Sequence, residues 1–141
     1  MPEGIPYASS NVIAGVSSDL TYVGSRCFAY GGLFDSATSE FIILEFTTGN
    51  DIIVGEFILN GSVLFTGDSH LGGNNAFKIK LNGLAVSTTK VDTTGTDVGM
   101  PMTNVQPMVL PPYTNVVLSA ISGENSATEQ VSAFFIGKMV E

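Results

Sequence analysis

The chain consists of short extended runs broken at regular intervals by Gly, Asn, Asp and Pro, and the runs themselves are rich in Val, Ile, Phe, Thr and Tyr. That alternation constrains the fold more than any single motif, because β-branched and aromatic residues suit a pleated surface while the interrupters supply turns. No stretch repeats apolar side chains at i, i+3, i+4 and i+7. Strong helix formers are also scarce, with Gln only at Gln106 and Gln130 and Lys at four positions. The chain reads as all-β.

Successive runs place about eight strands. Leu20 to Val23 is followed by Arg26 to Phe34, in which Phe28 and Tyr30 share a face, and by Phe41 to Phe46, which stops at Thr47-Thr48-Gly49-Asn50-Asp51. Asn-Gly tolerates two successive positive φ angles, so Asn60-Gly61 predicts a hairpin joining Ile52–Leu59 to Ser62–Phe65. The same dipeptide at Asn82-Gly83 predicts a hairpin between Ala76–Leu81 and Leu84–Thr88. In its first arm Phe77, Ile79 and Leu81 point one way and Lys78 and Lys80 the other, as in a sheet with one wet face. Gly67–Asn75 and Asp92–Thr103 are rich in Gly, Asn and Thr and read as loops at one end of the molecule.

Beyond Asn104–Leu110, the pair Pro111-Pro112 marks a corner where the chain changes sheets before Val116–Ile121. The last run, Thr128–Val140, is apolar and is expected inside a sheet, because an exposed apolar edge invites aggregation. Short antiparallel strands with frequent turns fit a two-sheet β-sandwich of jelly-roll type. Residues 1–18 lack strand length between their breakers and read as an arm or lead-in to a sandwich domain spanning 19–141.

Charge narrows the function. Charged residues are only 13% of the 141, and the net charge of −8 leaves five Lys and Arg, too few to bind a nucleic acid backbone or anionic lipid. No apolar run approaches the ~20 residues of a spanning helix. The start Met1-Pro2-Glu3-Gly4 does not resemble a secretory signal. Cys27 is the single cysteine and His70 the single histidine, so no zinc cluster is expected, and Cys27 reads as a small buried residue.

Catalytic readings are thin, and neither catalytic residues nor cofactors are expected. Asp68-Ser69-His70 sits among Gly and Asn neighbours that would not hold a triad rigidly. Glu40 with Glu45, or Glu45 with Glu56, would act as a glycosidase pair only at a suitable separation. Asp68, Asp92 and Asp97 could offer oxygen to calcium, yet no dense acidic loop motif is present, so no metal is expected. The Phe residues alternate along strands and read as core, leaving Tyr7 and Tyr113 as the better exposed rings.

The ordered elements Arg26-Cys27-Phe28-Ala29-Tyr30-Gly31-Gly32-Leu33-Phe34, Leu44-Glu45-Phe46-Thr47-Thr48-Gly49, Ile79-Lys80-Leu81-Asn82-Gly83-Leu84-Ala85-Val86 and Val109-Leu110-Pro111-Pro112-Tyr113-Thr114 carry a resemblance. Together they resemble small jelly-roll virion proteins of aquatic tailed phages. The similarity covers about residues 25–140. It implies a capsid decoration (cement) protein, commonly a homotrimer, or the knob of a fibre.

So sparsely charged a sandwich is expected to satisfy its neutral and apolar surface against other copies and a larger assembly. Ile5, Tyr7, Val12 and Ile13 of the arm are the expected contacts with the major capsid protein or a sister subunit. In the alternative, a knob, Asp68, His70, Asn74, Asp92 and Asp97 would line a loop site for a host-surface glycan. The expected location is the virion surface, after synthesis in the host cytoplasm.

Overall fold

The computed structural model describes residues 20–35, 37–63, 74–92, 102–122 and 129–140. Among them nine strands form: β1 Thr21–Val23, β2 Arg26–Asp35, β3 Phe41–Thr47, β4 Ile52–Val63, β5 Asn74–Leu81, β6 Leu84–Asp92, β7 Met102–Leu110, β8 Asn115–Ser122 and β9 Glu129–Val140. They build a five-stranded sheet, β1-β2-β9-β4-β7, and a four-stranded sheet, β3-β8-β5-β6.

The pairing is nested. β5 pairs with β6, β4 with β7, β3 with β8 and β2 with β9, all antiparallel, as in one long hairpin ribbon with Asn82-Gly83 at its tip. Rolled up, that ribbon closes through β4–β9 and β5–β8. This is the jelly-roll winding expected from the strand pattern.

Local chemistry explains the turns. Asn82 and Gly83 take φ values of 52° and 84°, the left-handed pair that a two-residue hairpin needs. At the other predicted hairpin the structure corrects the reading. Asn60-Gly61 is extended, and β4 runs through it without a break. Gly61 lies opposite Met102 on one side and Val131 on the other, while the Asn60 side chain accepts from Thr103 Oγ1 at 2.7 Å and donates to Ser132 Oγ at 3.4 Å. Two flanking strands thus satisfy the segment laterally, which outweighs a local turn preference.

The predicted loops are also shorter than their composition indicated. Asn74 and Asn75 belong to β5, Asp92 closes β6, and Met102 and Thr103 open β7. The Pro111-Pro112 corner does carry the chain from one sheet to the other, with Tyr113 at a φ of 53°. Pro107 lies within β7, an edge strand, where a missing N–H is tolerated. The C-terminal strand β9 occupies the centre of its sheet, as its apolar sequence predicts.

Between the sheets sit Phe57, Phe77, Phe135, Ile43, Leu59, Ile79 and Leu118, all essentially inaccessible to solvent. Phe135 packs against Phe57 at 4.8 Å with the ring planes inclined by 52°, and reaches Phe46 of the opposite sheet at 5.4 Å, centroid to centroid. Its room comes from Gly55 and Gly137, which face each other across β4 and β9. Cys27 is buried and free.

Candidate functional site

The two outer faces of the sandwich differ in chemistry. On the four-stranded sheet, Lys78 and Lys80 point outward, as predicted, and flank Glu40 at 3.7 Å each. The buried Ser119 hydroxyl donates to Glu40 Oε2 at 2.6 Å, and Asn115 Nδ2 donates to Glu45 Oε2 at 3.2 Å. Glu40 is held below the usual carboxylate range chiefly by the Ser119 hydrogen bond; burial opposes it as the next largest effect, and Lys78 and Lys80 each add a smaller lowering. This face is mixed: its charged groups are internally paired, while Ile42 and Ile121 beside them are 37% and 38% exposed.

The five-stranded sheet presents a wider apolar field. Alternate residues of β2, β9, β4 and β7 line up in rows across its outer face. One row runs Tyr30, Phe134, Ile58, Val105, and its neighbour runs Phe28, Ile136, Glu56, Pro107. Below them lie Arg26, Lys138, Val54 and Val109. The rings of Phe28 and Tyr30 are 5.1 Å apart, and Tyr30 meets Phe134 edge-on at 5.8 Å, so the aromatic part is already packed within the protomer. Leu33, Tyr30 and Val109 remain 63%, 59% and 57% exposed. Contiguous apolar exposure on this scale marks an interaction surface rather than the scattered apolar residues of an ordinary exterior.

Sequence reasoning missed this face. It assigned the Phe residues to the core, which holds for Phe46, Phe57, Phe77 and Phe135, but Phe28 and Phe134 are only half-buried and lie on the outer face. A signal was present in Ile52–Leu59, where Ile52, Val54 and Ile58 are apolar in one phase and Ile53, Phe57 and Leu59 in the other. Apolar residues in both phases indicate a strand covered on both faces.

The residues expected to form sites fall mostly elsewhere. Ile5, Tyr7, Val12, Ile13, Asp68, His70 and Asp97 lie outside the described residues. Asn74 and Asp92 are direct partners at the open end of the β5–β6 hairpin, so the strand ends flanking 64–73 and 93–101 meet there. Glu45 and Glu56 stand on different sheets with their outer faces turned apart, a geometry that does not make a glycosidase pair. Tyr113 is 71% exposed at the opposite end of the sandwich. Among the described residues, no group of three or more His, Cys, Asp or Glu side chains is placed to hold a metal ion.

No protein-family model and no curated protein matches this chain. Solved structures do match. A chain of the IBDV viral particle is similar over 81% of this chain, with 14% identity and a TM-score of 0.50. This chain spans 31% of that one. Dimeric latent PorU from Porphyromonas gingivalis is similar over 79% of this chain and 11% of its own, at 13% identity and a TM-score of 0.48. A family 35 carbohydrate binding module from Clostridium thermocellum is similar over 83% of this chain and 85% of its own, at 17% identity and a TM-score of 0.33. At these identities the likeness to the viral chain is one of fold, a β-sandwich.

Proposed function

We propose that this chain is a structural virion protein, a decoration or cement subunit that sits on the outside of a phage head and stabilises it. Its partners are the major capsid protein and further copies of itself. The uncovered apolar face of the five-stranded sheet carries this reading. A protein with 13% charged residues and such a face is poorly suited to life as a dispersed monomer. A lattice presents many identical neighbours, and contacts that are individually weak accumulate there. A fold shared with a chain of an icosahedral viral particle is compatible with the role.

A fibre knob that binds glycan is the second reading, favoured by one observation: Asn74 and Asp92 pair at the end where two Gly/Asn/Thr-rich segments leave their strands. Copy number separates the two. Quantitative mass spectrometry of purified particles should count this chain in hundreds for a decoration subunit. A handful of copies, together with binding on a glycan array, would transfer the assignment to the knob.

A further inference from the structure

We infer that the outer face of the five-stranded sheet is the contact between two copies of this chain, related by a two-fold axis that lies in the plane of contact. The inference deepens the proposed function by naming the surface behind its self-association, and it rests on that part of the reading alone.

The edges of this sheet are poor places for a second copy to attach. β1 is three residues long, and β7 carries Pro107 in the row of Glu56, which removes a donor from that edge. The face is better suited. Ile52 to Asn60 spans about 27 Å at ~3.4 Å per residue, and four strands at ~4.8 Å spacing are about 19 Å wide. Each copy therefore offers about 500 Å² before side-chain relief is counted, and a pair about 1,000 Å², the threshold for a specific interface.

Charge selects the occupant. Within this apolar field stand Arg26, Lys138 and Glu56, and among the described residues the ion pairs are those of Glu40 with Lys78 and Lys80. Lys138 pairs in register with Val54, two residues along β4 from Glu56, so cation and anion lie one strand and one row apart. A face that holds both signs in this way is complementary to itself. An in-plane two-fold axis midway between Glu56 and Lys138 lays each copy's carboxylate on the other's ammonium, and symmetry repeats the contact. A ring of three joins two different patches and leaves this self-match unused.

The test is sedimentation equilibrium of the purified full-length chain and of E56K and K138E, with circular dichroism to show that the sheets remain folded. The parent should form a two-fold pair. Each single charge reversal sets two like-charge contacts at the interface and should weaken the pair about a hundredfold. Mixing E56K with K138E should restore it, because the mixed pair contains two opposite-charge contacts. A parent that is monomeric or three-fold, an E56K protein that pairs as tightly as the parent, or a mixture that fails to recover would each overturn the inference. Particle binding is measured separately: a two-fold pair that ignores phage heads leaves this contact standing and removes the decoration role.

Discussion

Thr48 and Thr114, 66 positions apart, clasp the corner between the two sheets with a pair of hydrogen bonds. Thr48 N donates to Thr114 O at 2.9 Å, and Thr114 N donates to Thr48 Oγ1 at 2.8 Å. The same Thr48 hydroxyl donates to Pro111 O at 2.7 Å, so one buried side chain satisfies both ends of the Pro-Pro turn. Thr48→Val keeps the shape and removes both roles. It should cost about 1–3 kcal/mol, the penalty of unsatisfied buried groups, and lower the urea midpoint without changing the slope. Thr48→Ser, which retains the hydroxyl, should recover most of the loss.

Gly55 tests the packing behind Phe135. A Cβ on Gly55 would press on the Ile136 carbonyl oxygen and stand 2.6 Å from Phe135 Cζ and 2.7 Å from Gly137 Cα. Two of those three atoms are backbone in the central strand, which cannot give way. Gly55→Ala is expected to destabilise the protein by about 1–3 kcal/mol. Gly49→Ala, whose new Cβ would meet only the Tyr22 hydroxyl at 3.4 Å, should stay within about 0.5 kcal/mol. Parallel denaturation curves decide the comparison.

Glu40 predicts a small acid sensitivity. Its folded-state pKa is depressed, chiefly by the Ser119 hydrogen bond, so its contribution is present above the ordinary Glu pKa and disappears as pH falls through the folded value. The carboxylate is 39% exposed, and solvent screening keeps the effect under about 1 kcal/mol. Ser119→Ala should raise the Glu40 pKa towards that of a free glutamate, seen by NMR titration of its side-chain carboxyl. An unchanged titration in the variant would assign the depression to Lys78 and Lys80 instead.

The hairpin tip gives a fourth prediction. Gly83 sits at a φ of 84°, and Asn82 Oδ1 accepts from Asn115 N at 2.9 Å while Asn82 N donates to Asn115 O at 2.8 Å. Gly83→Ala should cost about 1–2 kcal/mol from the left-handed backbone alone. Asn82→Ala should add the loss of the side-chain hydrogen bond, and thermal unfolding of both variants measures the two effects.

The same dipeptide shows what local reasoning reaches and where it stops. Asn82-Gly83 was legible because its long-range contacts, the two hydrogen bonds with Asn115, leave the turn intact, whereas Asn60-Gly61 is claimed by β7 and β9, strands that a local window does not contain. Lys78 and Lys80 alternate cleanly with Phe77 and Ile79, so the wet face of β5 could be read directly. Along β4 and β9 both phases are apolar, and alternation cannot say which side faces the core. The outer face of the five-stranded sheet was therefore hidden in plain composition. Asn74 and Asp92 read locally as loop residues, and only long-range register shows them as a cross-strand pair.

The nested winding has a consequence for biosynthesis. β9 is the last described strand to emerge from the ribosome, yet it lies between β2 and β4 and joins Arg26 to Lys138. Until it arrives, the five-stranded sheet exists as two separate halves, each with an open apolar flank. Sheet closure is thus deferred until residues 129–140 have been made, and a nascent chain stalled before residue 129 should depend on chaperones for its solubility.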